Sequence, residues 1–141
     1  MVTFAEKDGM PALALTDHGN MYGAIEFYKT CKDHAIKPII GLDAYMTPGS
    51  RFDKRSGIDT RRHGVVLLAQ NETGYKNLMK LVTKSYTEGF YYKPRIDFEL
   101  LTEHNKGLIC LSGGATSEIV SLLESADTKL ANQYIQKDTH V

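Results

Sequence analysis

The chain is 141 residues long, the length of one domain, and 42% of it is hydrophobic, which excludes disordered and collagen-like chains. Seventeen Lys and Arg balance seventeen Asp and Glu, so the formal net charge is zero and any contact with nucleic acid must be local. No apolar run approaches the ~20 residues that span a bilayer, and the charged start Met1-Val-Thr-Phe-Ala-Glu-Lys-Asp8 is not a signal peptide. The reading is a cytoplasmic protein without membrane contact.

Short aliphatic runs alternate with segments of helical period, the pattern of an α/β domain with a mainly parallel sheet and flanking helices. Ala12-Leu-Ala-Leu15 follows Gly9-Met-Pro11 and predicts a strand that delivers the polar loop Asp17-His-Gly-Asn20. From Gly23 to about Ala35 a helix is expected, with Ile25, Tyr28, Cys31, Lys32 and Ala35 on its apolar stripe. Residues 37 to 46 alternate as a strand, with Ile40, Leu42 and Ala44 on one face and Ile39, Asp43 and Tyr45 on the other.

Thr47 to Arg62 holds Pro48, Gly49, Gly57 and the basic residues Arg51, Lys54, Arg55, Arg61 and Arg62, which predicts a mobile basic loop. Val65-Val-Leu-Leu-Ala69 is the next strand. It leads to a helix striped by Tyr75, Leu78, Met79, Val82 and Tyr86 and ended by Gly89 as a cap. Phe90 to Arg95 is a loop because Pro94 disfavours helix at Lys93. A short helix from Asp97 to His104, a strand from Leu108 to Ser112 and two tail helices complete the chain, with Asp127 capping the last. Cys31 and Cys110 fall in a helix and a strand without CxxC spacing, the pattern of reduced, mostly buried thiols.

Loops at the carboxyl ends of parallel strands carry the chemistry of such folds. Thr16-Asp17-His18-Gly19 leaves one of these ends, with His18 a candidate metal ligand and Asp17 its orienter or co-ligand. The same tetrapeptide is also an ordinary turn. Asp43 is an acid within an apolar strand, costly unless paired or metal-bound. The alternative for it is a solvent-facing strand end. His63 precedes a strand, beside Arg61 and Arg62, where it also fits a solvated basic loop. Tyr91, Tyr92, Lys93 and Arg95 interleave stacking faces with cations, as single-strand binders do. Together with Lys54, Arg55, Arg61 and Arg62 they are candidate nucleic-acid contacts, weighed against plain solvation. No P-loop, GxGxxG after a strand, GxSxG or HExxH is present.

The blocks Gly9-Met-Pro-Ala-Leu-Ala-Leu-Thr-Asp-His-Gly-Asn-Met-Tyr-Gly23, Ile36-Lys-Pro-Ile-Ile-Gly41, Leu67-Leu-Ala-Gln-Asn-Glu-Thr-Gly-Tyr-Lys-Asn-Leu78 and Glu88-Gly-Phe-Tyr-Tyr-Lys-Pro-Arg-Ile-Asp97 continue through Gly107-Leu-Ile-Cys-Leu-Ser-Gly113. In this order they resemble the N-terminal PHP (polymerase and histidinol phosphatase) domain of bacterial DNA polymerase III alpha subunits. The resemblance implies a distorted β/α barrel with up to three divalent metals (zinc, manganese or magnesium) at the strand carboxyl ends. There they activate water for phosphoester hydrolysis. Some alpha subunits use this site as a zinc-dependent 3′→5′ exonuclease. In others the domain is a scaffold that docks the separate proofreading exonuclease.

Carried over by position, His18 matches the ligand of the family's TDHG motif and Asp43 stands where the family often has Glu. The next ligand, a His, aligns with Gly64, so His63 is one residue early, and the expected Cys is Gly114. The opening His-x-His would precede Met1 and the closing Asp-x-His would follow Val141. Asp138-Thr-His140 has the closing spacing but lies in an unmatched tail. The resemblance therefore implies a partial PHP domain over residues 1–141 of a replicative nucleotidyltransferase, a DNA-directed DNA polymerase. In it this segment gives architecture and subunit contact, with a degenerate site (His18, Asp43, Asp17, His63) that binds no metal tightly and performs no catalysis. Its partners would be the remainder of the alpha subunit and the proofreading exonuclease, with DNA reached through the parent protein. The alternative is a free-standing PHP phosphoesterase.

Overall fold

The alternation of residues 37 to 46 organises the molecule. A computed structural model describes residues 1–112, 114–125 and 128–138. Among them the strands are β1 (Ala12–His18), β2 (Lys37–Met46), β3 (His63–Ala69), β4 (Arg95–Ile96) and β5 (Leu108–Leu111). The helices are α1 (Val2–Lys7), α2 (Ala24–Asp33), α3 (Glu72–Thr87), α4 (Phe98–Glu103), α5 (Glu118–Glu124) and α6 (Thr128–Asp138), with a 3-10 turn over Gly114–Thr116 before α5. The expected cap at Asp127 lies outside the described residues.

Strand β2 is the hub of the sheet. Along one edge β1 runs parallel to it from Ala12↔Lys37 to His18↔Asp43, and β4 extends the same edge at Tyr45↔Arg95 and Met46↔Ile96. On the other edge β3 is antiparallel, from Gly41↔Leu68 to Met46↔His63, and β5 is antiparallel to β3. The sheet is therefore mixed, where the alternation of elements predicts a mainly parallel one. The reason is the link from β2 to β3: a parallel neighbour needs a crossover helix, and residues 47 to 62 form none, so the chain returns antiparallel.

One face of β2 is sealed. Leu42, Ala44 and Met46 join Val65 and Leu67 of β3, Leu78 and Leu81 of α3, and Ile96, Leu100 and Leu101 in a single core cluster. A second cluster packs Val2 and Ala5 of α1 with Phe27 and Cys31 of α2 and with Ile36, against Leu13, Leu15 and Ile40. Burial pushes the Cys31 thiol pKa up, and neither Cys31 nor Cys110 is in a disulfide.

Two helical stripes differ from expectation. Helix α2 buries Ala24, Phe27 and Cys31 while Ile25 and Tyr28 are exposed. Contact with β2, β1 and α1 selects its inner face, not the size of the residues. Helix α3 buries Leu78, Leu81, Asn77 and Ser85 and leaves Met79 and Tyr86 exposed. Asn77 fits there because its amide donates to the Lys106 carbonyl at 2.9 Å.

Gly89 does not end α3 in the left-handed conformation. A Cβ at this position would overlap the Arg95 carbonyl oxygen, so the glycine serves a close approach of backbones instead of a cap.

The basic loop is strapped down. Arg95 is fully buried and donates to four backbone carbonyls: Gly89 at 3.0 Å, Asp59 at 2.7 Å, Asp53 at 2.8 Å and Arg51 at 3.2 Å. Arg51 is buried as well, its guanidinium 3.0 Å from Asp97 Oδ1 and 2.7 Å from Glu88 Oε2. Burial works against the charge on Arg51, but the bonds to Glu88 and Asp97 together exceed it and raise its pKa above the usual range. Asp97 also accepts from the Arg51 backbone N–H at 2.8 Å and caps α4 by accepting from Leu100 N at 2.9 Å.

Removing one member of a buried ion pair costs about 3–5 kcal/mol, because the other charge stays buried without its partner. Asp97→Ala uncaps α4 but leaves Arg51 its bond to Glu88, so it is expected to destabilise the fold by about 3 kcal/mol, the lower end of that range, in urea titrations. Asp97→Asn, whose amide oxygen still caps α4, is expected to cost clearly less.

Candidate functional site

The parallel register of β1 on β2 brings His18 beside Asp43. His18 Nδ1 lies 2.8 Å from Asp43 Oδ2, with the imidazole largely exposed. Strand β1 runs through His18, so the polar loop begins at Gly19 and not at Asp17. His18 and Asp43 thus stand on rigid sheet, and the carboxylate orients the ring with Nε2 facing outward from the pair.

Asp17 belongs elsewhere. Strand alternation points it away from His18, and its Oδ2 accepts from Gly23 N at 2.9 Å. It closes the turn into α2 and contributes no donor beside His18.

His63 is likewise separated from the pair. It pairs with Met46, on the core face, whereas Asp43 pairs with Val66. Its side chain is buried, not part of a solvated loop, because β3 begins at His63 and not at Val65. Nε2 has no hydrogen-bond partner among the described residues, and the Glu118 carboxylate is 3.9 Å away.

Gly64, by contrast, faces the pair. A Cβ built there would lie 3.6 Å from Asp43 Oδ1 and would crowd the Thr116 hydroxyl. Gly114 opens the 3-10 turn at a φ of 61° and offers no side-chain donor. Asp138-Thr-His140 reaches beyond the described residues.

The site that the resemblance implies is metal-dependent and needs several converging donors. Among the described residues no group of three or more His, Cys, Asp or Glu converges on a point. His18 and Asp43 supply two donors, while a catalytic metal takes about three protein ligands plus an open position. The described residues do not fit a catalytic metal.

The rim of the pair is basic and aromatic. Gly19 turns at a φ of 67°, and a Cβ there would come within 2.9 Å of Pro94 and 3.0 Å of the Tyr45 ring. Arg62 and Lys93 approach that ring at 5.7 and 5.8 Å from its centroid. Tyr91 and Tyr92 meet edge to face at 4.6 Å, with Tyr92 at a φ of 59°.

The remaining cations separate by environment. Arg95 is withdrawn from any role as a nucleic-acid contact, because burial and four carbonyl bonds consume its donors. Arg55 is exposed but held in a two-pronged pair with Asp59 at 2.9 Å, whose carboxyl it lowers in pKa. Arg61 reaches the Ser121 hydroxyl at 3.4 Å, and Lys54 is exposed. The sequence reading missed Arg51, Glu88 and Asp97 as the frame of this rim. The Asp97 cap, just ahead of a helical run, was the one local signal for it.

Burial lowers the His63 pKa below the usual imidazole range, with Glu118 opposing and Arg61 reinforcing the shift. The unfolded chain therefore protonates first. Stability is complete above the unfolded value of about 6.5 and is lost as pH falls through the lower folded value. In urea melts across that window His63→Leu is expected to flatten the slope. Glu118→Gln, which removes the opposing charge, should extend it to lower pH.

A family model described as the PHP domain matches residues 1–139. The DNA polymerase III subunit alpha of Chlamydia trachomatis is 55% identical over 120 residues, covering 84% of this chain and 10% of that protein. The Treponema pallidum protein of the same name is 48% identical over 97% of this chain and 12% of its own length. That of Thermus aquaticus is 47% identical over 93% of this chain and 11% of its own. The chain thus spans about a tenth of the length of the curated relatives it matches. With a family match over nearly every residue, the chain belongs to the PHP domain family.

Proposed function

We propose that this chain is the PHP module of a bacterial DNA polymerase III alpha subunit, and that it contributes architecture and subunit contact to DNA replication instead of hydrolysis. The observation that carries the first half is identity of 47–55% to proteins of that name over 84–97% of the chain. Its partners on this reading are the remainder of the alpha subunit, the proofreading exonuclease subunit and DNA reached through the parent protein, in the cytoplasm. A free-standing phosphoesterase is disfavoured because the relatives quoted above are all polymerase subunits.

The second half rests on geometry. His18 and Asp43 share a face, Asp17 and His63 point away from it, and Asp has one methylene less reach than the Glu that the resemblance implies. Zinc, manganese or magnesium would therefore find two donors among the described residues and bind weakly.

Calorimetric titration of zinc and manganese, followed by an assay on a 3′-labelled oligonucleotide, tests this. Weak binding without hydrolysis is expected. Tight stoichiometric binding with hydrolysis that is lost in His18→Ala would contradict it. Gly64→His, which places a third donor beside Asp43, is expected to strengthen zinc binding in the same titration, and His63→Ala to leave it unchanged.

A further inference from the structure

The sheet has two faces, and its helices cover one. Helices α2 and α3 lie on the face that carries Leu13 and Leu15 of β1, Ile40 and Leu42 of β2 and Leu67 of β3. The opposite face carries Ala14 and Thr16, Ile39 and Gly41, Val66 and Leu68, and Ile109 and Leu111, set side by side by the pairings of β1, β2, β3 and β5. Among the described residues neither buried core cluster includes any of these eight. Ala14 is exposed, and Ile109 and Leu111 are 45% and 48% exposed. A sheet can leave a polar face to water, but over β3 and β5 this one is aliphatic and calls for a second layer.

The relief of that face is a slope. One row across the strands reads Thr16, Gly41, Leu68, Ile109, with small side chains on the β1 flank and large ones on the β5 flank. Leu68 leans down the slope, since a Cβ built on Gly41 would meet its Cδ2 at 2.7 Å. A two-fold axis parallel to the strands lays this row on itself in reverse order, so each copy's Ile109 comes over the Thr16 and Ala14 flank of the other. A surface that complements itself in this way is what an isologous dimer requires. The zero net charge of the chain adds no general repulsion between copies.

We infer that the open face is the contact between two copies of this chain, packed sheet on sheet with their strands within about 30° of each other. His18 and Asp43 lie one row further toward the carboxyl end of β1, at the rim of the contact. About a dozen residues of the four strands share the face, roughly half of one side of a standard interface, so the dimer is weak and forms in the micromolar range. The contact needs neither a metal nor the remainder of an alpha subunit, so it stands independently of the architectural role proposed above.

Sedimentation equilibrium of the full chain over about a hundredfold range of concentration tests this. A monomer–dimer equilibrium without larger species is expected. Ile109→Lys and Ala14→Glu, at exposed positions that the core does not use, should each raise the dissociation constant about tenfold or more, while melting as the dilute parent does. Mixed with each other, the two variants should dimerise again, because the new lysine of one copy meets the new glutamate on the opposing flank of the other. Lys29→Gln, exposed on α2 away from the open face, should dimerise as the parent does. A chain that stays monomeric, assembly that grows beyond the dimer, dimers indifferent to Ile109→Lys or Ala14→Glu, or a mixture of the two that stays monomeric would overturn the proposal.

Discussion

Every feature of the candidate site follows from one constraint: strand β2 has one face that must be buried. Leu42, Ala44 and Met46 are each 2–3% exposed, and a slip of one residue would drive all three into water and Asp43 into the core. With that face fixed, Asp43 and Tyr45 must point the other way. The parallel neighbour β1 then delivers His18 to Asp43, and the antiparallel neighbour β3 delivers Gly64 to Tyr45 and His63 to Met46. A histidine one position later on β3 would have stood beside Asp43. At position 63 it lies under Glu118 instead, where burial pushes its pKa down. The incompleteness of the donor set among the described residues is thus a matter of strand parity as much as of composition.

The second determinant is the pair of buried arginines. Hydrophobic contacts hold the helices on β2, but residues 47 to 62 have few apolar side chains to bury, so their order must come from polar bonds. Arg95 gathers the carbonyls of that segment, and Arg51 returns the chain to Asp97 and Glu88. Each guanidinium is desolvated, and its several charge-assisted bonds are what make such burial tolerable. The same frame fixes β4 against β2 and the loop that carries Tyr92, Lys93 and Pro94 against the Gly19 turn. Ionic latch, basic rim and His18–Asp43 pair are therefore mechanically continuous.

Much of this was legible in the sequence, and what was not has a common cause. The alternation of β2 and the side on which Asp43 and Tyr45 lie could be read directly, because a strand with a period of two leaves no choice once its apolar set is known. Strand ends were less legible: β1 extends through Thr16-Asp17-His18, and β3 begins at His63, since pairing partners far along the chain decide where a strand stops. Helix faces failed for the same reason. Ile25 and Tyr28 look like core, yet packing on the sheet and α1 buries Ala24 and Phe27 instead. Arg51 and Arg95 read as solvated charge because their partners lie 36 to 46 residues away or are backbone carbonyls with no sequence signature. The candidate donors beside His18 were read first from strand ends and buried charge and then from a family resemblance, and the register showed which of them meet.

The central claim is that β2 and its two neighbours divide the histidines, giving His18 to Asp43 and His63 to the core. Long-range proton–nitrogen NMR of the histidine rings during a zinc titration tests it most directly. The account predicts that the His18 ring nitrogens shift while those of His63 stay constant, with His63 neutral throughout near pH 7. Movement of the His18 and His63 signals together, at the same zinc concentration, would show both rings on one metal and would contradict the division.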